Sequence, residues 1–408
     1  VRLSEDSSNG AGNAGFRYSQ LSPNGGDLRF ISKTGGEFKY EIANWNTAGE
    51  SQVWVRVPSL ASDANVTMYW GNTNAGLPAY ANNGTTWDDY FGVYHLEGTA
   101  GTATDSSPLS NDLPGVNAPV LVASGLSGAS YSSTSAANNG FLGTISSNTK
   151  GKEATYTIWA NTPSNPPDWK DFFAVEYNDD SNYSLRFQAD NASPSHVELK
   201  VTGGSKGTLT LSDANDDLSG WNMLSLVIKD GYASIYIDGT VDGSTDWYFP
   251  GLDTISKLAI GRGTDDSGAG ITFDEATFST IARSAAWLSA SFDNQKPSST
   301  YLNFGTLVGP ISLDDPDYTE IFGKKDTAIT SYTVAHSGNG SFTATGLPPG
   351  LTINSATGII SGSTSVVGTQ NVTITATGTT AGGGTVTATK VYTIKISDPS
   401  SFPFQMDL

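Results

Sequence analysis

The chain of 408 residues has no cysteine. That excludes a disulfide scaffold and thiol chemistry, and it leaves export open, since exported chains also occur without cysteine. Basic residues are scarce: 21 Lys plus Arg stand against 40 Asp plus Glu, a formal charge of −19. Binding phosphates needs a cationic footprint, so nucleic acid is excluded as a partner. An acidic balance suits a secreted protein in salty or calcium-containing water. Histidine is rarer still. His95, His196 and His336 lie in separate segments with no metal-ligand spacing. No apolar run approaches the length of a membrane-spanning helix. The sequence shows no signal peptide and does not open with Met, so a processed or excerpted chain is expected.

What is abundant points to β-structure. Forty-six glycines accompany many Ser, Thr and Asn, the composition of a turn-rich chain. The length exceeds one hydrophobic core and accommodates two to four domains. The clearest signal runs from Trp221 to Trp287. Met223, Leu224, Leu226 and Ile228 lead to Asp230-Gly231, and Ala233, Ile235 and Ile237 follow. Two β-rich runs joined by Asp-Gly predict a hairpin. Asp238-Gly239 predicts a second turn, and Lys257–Gly261 and Ile271–Phe278 two further strands. A short helical turn is expected at Ala282–Trp287.

This succession (a Trp-led strand, Tyr-x-Asp-Gly, Asp274-Glu275, then Ala282-Arg-Ser-x-x-Trp287) resembles the concanavalin A-like, laminin-G-like jelly roll of bacterial surface proteins. Upstream, Ala154–Ala160, Tyr94-His-Leu-Glu97 and Asp105–Asn111 fit the same pattern. The resemblance implies a jelly roll over residues 91–305. The stretch 98–148 is mostly small and polar, and short strands between long loops are expected there.

Residues 1–90 read as an N-terminal β-sandwich. Strands are expected at Asp27–Ile31, Glu37–Ile42, Ser51–Val57 and Val66–Trp70, with Val53, Val55 and Val57 on one face and Trp54 and Arg56 on the other. Gly-Gly-Asp-Leu-Arg-Phe30 and Val-Trp-Val-x-Val-Pro58 resemble a bacterial domain of unknown function that precedes laminin-G-like domains. That implies an extracellular or cell-surface setting and carries no known reaction. Residues 310–398 contain Gly346-Leu-Pro-Pro-Gly-Leu-Thr-Ile, a turn at Asn354–Gly358 and alternation through Val372, Ile374 and Ala376. They resemble the small immunoglobulin-like (cadherin-like) domain of bacterial adhesins.

The final segment, 400–408, is unusual. Phe402, Phe404, Met406 and Leu408 alternate perfectly after a domain that is already complete. Seven residues make a strand of about 23 Å. The segment resembles the opening strand of the N-terminal family, which here begins only at Val1-Arg-Leu3-Ser. Two readings follow. Either the chain is one period of a tandem array, or its tail completes the first domain of the next copy by β-strand addition. Both place copies of the chain head to tail, with Phe402, Phe404, Met406 and Leu408 meeting Val1 and Leu3. A tail folding back on its own first domain is a third, plainer arrangement.

Catalysis is not expected. A retaining glycosidase needs two carboxylates about 5 Å apart, whereas adjacent Asp274 and Glu275 should face opposite sides of a strand. Glu176 has no acidic partner two residues on. Candidate carbohydrate-stacking aromatics are Trp169, Trp247 and Tyr248, for which rim packing is an equal alternative. Candidate calcium ligands are Asp105 and Asn111, and Asp265 and Asp266, although Asp-rich turns are common without metal. The expectation is an all-β chain of β-sandwich, jelly roll and small Ig-like sandwich. Its expected role is as a structural or adhesive unit of a surface fibre or tandem-repeat protein. The alternative is a secreted carbohydrate-binding module for polysaccharide.

Overall fold

A computed structural model describes residues 1–5, 16–32, 36–58, 66–72, 75–98, 101–126, 128–134, 138–145, 153–163, 170–177, 184–190, 196–202, 218–229, 231–246, 255–264, 270–297, 299, 302, 312–313, 320–379 and 384–398. It is all-β apart from one α-helix and short 3-10 turns. Two compact units emerge: residues 1–4 with 18–303, and residues 5–17 with 304–408. The N-terminal module and the jelly roll thus fall within one unit.

The N-terminal module pairs two three-stranded sheets. Glu50–Val55 lies between Arg2–Ser4 and Tyr40–Asn44, and Arg29–Ser32 lies between Glu37–Phe38 and Val66–Tyr69. Leu3, Leu28, Phe30, Tyr40 and Val53 are buried. Two tyrosines add bonds to backbone carbonyls: Tyr18 donates to that of Leu3 at 2.7 Å and Tyr40 to that of Leu28 at 2.8 Å.

The jelly roll stacks two antiparallel sheets. One runs Val120–Val122, Ser130–Ser132, Thr272–Ser279, Glu153–Thr162, Gly220–Lys229, Tyr232–Ile237 and Thr240–Asp246, with Tyr90–Tyr94 also paired to Thr272–Ser279. The other runs His196–Thr202, Ser184–Asp190, Lys170–Tyr177, Ile255–Ile260, Gly140–Thr144, Leu113–Val116 and Thr102–Ala103. The short strands of the polar 98–148 stretch sit at the sheet margins. Lys229 opposes Tyr232, so the expected hairpin forms. Its second turn holds Asp238 at φ 52° and Gly239 at φ 76°, the pair of left-handed residues a type I′ turn needs. The core is aromatic: Tyr131 meets Phe141 edge-on, and Phe278 meets Tyr156, Phe173 and Phe91.

The expected helical turn is in fact a helix, Ala285–Gln295, extending well past Trp287. The Ser284 side chain caps it by accepting from the Trp287 amide. A stack beneath the helix explains the extra turns. Phe292 lies on the Trp159 ring, and Trp159 donates to Gln295 Oε1 at 2.9 Å.

In the second unit, Glu320–Lys324 runs parallel to Thr385–Ser397, which pairs with Gly368–Thr379 and through it Gly340–Thr345. Leu351–Ile353, Ile359–Gly362 and Tyr332–Thr333 make the facing sheet. Phe342, Ile360, Val372, Ile374, Tyr392 and Ile394 fill the space between. Asn354 Oδ1 accepts from the amides of Ala356 and Thr357, forming the turn read from the sequence.

Candidate functional site

The feature that decides what this unit can do chemically is a bulge. On Thr272–Ser279, Thr277 opposes Thr157 and Asp274 opposes Trp159, so two residues, Glu275 and Ala276, face the single Ile158. Glu275 takes φ 45°, the left-handed conformation such an insertion demands. Phe273, Ala276 and Phe278 all reach the main core. Asp274 and Glu275 therefore both turn away from it, which corrects the expectation that adjacency places them on opposite faces.

Turning to one side does not make them a catalytic pair. Asp274 is fully buried. Its Oδ2 accepts from the Leu126 amide at 3.0 Å and its Oδ1 from the Glu275 amide at 2.9 Å. Glu275 is 2% exposed and accepts from His95 Nδ1 at 2.8 Å. The other ring nitrogen of His95 lies 3.4 Å from Glu41 Oε2, which belongs to the N-terminal module. Glu41 also accepts from Ser106 Oγ at 2.7 Å and from the Trp87 indole. Trp54 stacks on the His95 ring, with centroids 5.6 Å apart. A Glu–His–Glu relay thus crosses from one module to the other, roofed by indoles.

The charges respond to this setting. Burial alone would lower the His95 pKa, but Glu275 and Glu41 outweigh it and hold the imidazolium well above its ordinary range. Burial would raise Glu41, yet the bonds from His95, Ser106 and Trp87 keep it below the usual carboxylate range. Glu97 lies alongside. Burial first, then the Glu275 charge, push it up to about 7, against a smaller opposing pull from His95.

Around the relay, exposed charges tie the modules further. Asp89 reaches Arg283 of the jelly roll at 3.6 Å, while Lys39 and Arg56 hold Asp88, and Arg56 holds Asp89, within the N-terminal module. Arg2 reaches the Gln295 carbonyl at 2.9 Å. Such surface pairs contribute little individually.

Asp105 is no open calcium ligand. Its Oδ1 accepts from the amides of Val93 and Ser107, and its Oδ2 from Ser107 Oγ and the Asn111 amide. The Asn111 side chain donates to the Phe91 carbonyl at 2.8 Å. The aspartate staples a turn, and hard-oxygen ligation would have to break those bonds. Among the described residues no group of three His, Cys, Asp or Glu is arranged to hold a metal. Leu3 is buried and Val1 pairs through its carbonyl with the Val53 amide. Trp169, Trp247, Tyr248, Asp265, Asp266, Phe402, Phe404, Met406 and Leu408 lie outside the described residues. Glu176 pairs with Lys257 at 3.0 Å. Sequence reasoning missed the roles of Glu41, Glu97, Trp54 and Trp87. No spacing could reveal them, since Glu41 stands 54 positions from His95 and Glu275 stands 180.

Three families match the chain. Residues 24–109 match a domain of unknown function (DUF2341), residues 130–289 the concanavalin A-like lectin/glucanases superfamily, and residues 297–397 the family described as "Putative Ig domain". The chain joins these three families in this order. The module-to-jelly-roll relay thus links the DUF2341 domain, through Glu41, to the bulged strand of the concanavalin A-like domain. No curated protein sequence matches the chain. Solved structures with some likeness include domain 4 of AbnA, a GH43 extracellular arabinanase from Geobacillus stearothermophilus, in complex with arabinotriose. It is 16% identical at a TM-score of 0.38, over 49% of this chain and 97% of that one. A Trypanosoma rangeli sialidase is 13% identical at a TM-score of 0.39, over 63% of this chain and 42% of that one. The binding domain of Paraclostridial Mosquitocidal Protein 1 is 12% identical at a TM-score of 0.38, over 72% of this chain and 65% of that one. Scores this low carry no argument about fold or function.

Proposed function

We propose that the chain is a non-catalytic structural or adhesive unit of a bacterial surface protein, working outside the cell and joined to further copies head to tail. The observation that carries this reading is the sealing of Asp274 and Glu275. The one carboxylate pair on a central jelly-roll strand is buried and spent on backbone amides and on His95. No helix among the described residues is long and apolar enough to cross a membrane. The combination of a lectin-like and an Ig-like family is of the adhesive kind.

Two features support the head-to-tail join. Phe402, Phe404, Met406 and Leu408 alternate as a strand with one apolar face. Arg2–Ser4, with Leu3 fully buried, is the strand with which the pattern Val1-Arg-Leu3-Ser opens the N-terminal module. A strand supplied by one copy and added to a sheet of the next is a known mode of chain-to-chain recognition. Removing residues 401–408 tests this: the shortened chain should no longer associate end to end.

A second reading is favoured by the match of residues 130–289 to a family that includes lectins. In it the jelly roll captures polysaccharide through Trp169, Trp247 and Tyr248. Glycan-array binding that is lost on Trp169→Ala or Trp247→Ala would establish it. Hydrolysis abolished by Asp274→Asn or Glu275→Gln would refute the non-catalytic reading altogether.

A further inference from the structure

The relay between the modules contains more acid than its hydrogen bonds explain. Glu275 Oε1 and Glu97 Oε1 are both buried, and neither has a hydrogen-bond partner. A buried acceptor without a donor is costly. The loop at Gly125–Gly128 packs over these acids. A Cβ on Gly125 would stand 2.6 Å from Asp274 Oδ2, and one on Gly128 would stand 2.5 Å from Glu97 Oε1. Leu96, between His95 and Glu97, is held at φ 58°. Left-handed non-glycine residues persist where the surroundings over-determine them, and Leu96 and Glu275 both flank the His95–Glu275 bond.

Counter-charge is short. His95 is the one cation in the relay, and both its ring nitrogens are committed, to Glu275 and Glu41. Lys39, Arg56 and Arg283 are engaged by Asp88 and Asp89. The groups facing the cluster are Glu41 from Tyr40–Asn44, Ser106 and Trp87 beside it, His95 and Glu97 after Tyr90–Tyr94, and Asp274 and Glu275 from the bulged strand. Asp274 is already satisfied by two amides. A proton on Glu97 removes the excess negative charge and supplies an O–H donor where donors are lacking.

We propose that Glu41, His95, Glu97 and Glu275 form a proton-operated latch between the N-terminal module and the jelly roll, closed when Glu97 is protonated and loosened when it ionises. The sign follows from linkage. Glu97 is raised in the folded state to about 7, so its contribution is present at lower pH and lost as pH climbs through that value. His95 is raised too, so its contribution also fades as pH rises above the ordinary histidine range. Glu41 is lowered, so its contribution is lost only as pH falls below the ordinary glutamate range. The Glu41 and Glu97 contributions are therefore both full only near the ordinary glutamate value, and the Glu97 part drains away as pH rises from there to about 7.

The test uses the full 408-residue chain. Thermal midpoints and amide hydrogen exchange are compared at about pH 5.5 and about pH 8.5, either side of the Glu97 transition. Wild type should lose a few degrees at the higher pH. Protection should fall at Tyr40–Asn44 more than at Glu153–Thr162, once intrinsic exchange is corrected for. Glu97→Gln should shrink both changes, leaving the His95 part, and be the more stable protein at high pH. The same downward shift in wild type and Glu97→Gln would overturn the latch, as would uniform loss of protection. Should Glu97→Gln not fold, carboxyl carbon-13 titration of wild type decides. One glutamate titrating near 7 supports the latch, and none doing so overturns it.

Discussion

At the scale of single residues, buried polar groups here are tied to backbone rather than to ligands. Asp105 gathers four donors, so Asp105→Ala should lower stability by about 3 kcal/mol or more, as denaturant titration would show. Gly261 sits at φ 68° with the Phe273 ring where a Cβ would go. Gly261→Ala should therefore destabilise by well over the 1 kcal/mol typical of a point substitution, about 3 kcal/mol, seen as a lower urea midpoint. Glu41 works in the opposite pH direction from Glu97. Its lowered pKa means that wild type loses stability as pH falls below the ordinary value of about 4.5. Glu41→Gln should be weaker at neutral pH and lose less on acidification.

At the scale of elements, the sequence was most readable where periodicity and turn chemistry act locally. The Trp221–Ile237 hairpin, the Asp238-Gly239 turn and the Asn354 turn formed as their residues require. The helix at Ala285–Gln295 was longer than its motif suggested, because the reason for its last turns, Trp159 beneath Phe292 and Gln295, lies over a hundred residues away. Its cap is local, so Ser284→Ala should lower stability by about 1 kcal/mol without altering the sheets, measurable by circular dichroism melts. The bulge at Glu275 was illegible. Alternation predicts faces only while the register is unbroken, and one inserted residue reverses the assignment. The same long-range logic hid the Glu41–His95–Glu275 relay. It exists because the sheets bring together strands that no spacing rule connects.

At the scale of the whole chain, the three families are β-modules, and the first two share one compact unit. The His95–Glu275 bond and the Asp89–Arg283 contact make the DUF2341 domain an integral part of the jelly-roll unit rather than a loose appendage. The head-to-tail account asks for a connector, and the alternating Phe402–Leu408 run is the segment whose chemistry suits one. A head-to-tail contact between identical copies that does not close makes a filament. The most direct measurement is electron microscopy of the purified 408-residue chain beside a chain ending at residue 400. The account predicts end-to-end strings from the first and single particles from the second. Strings from both, or from neither, would contradict it.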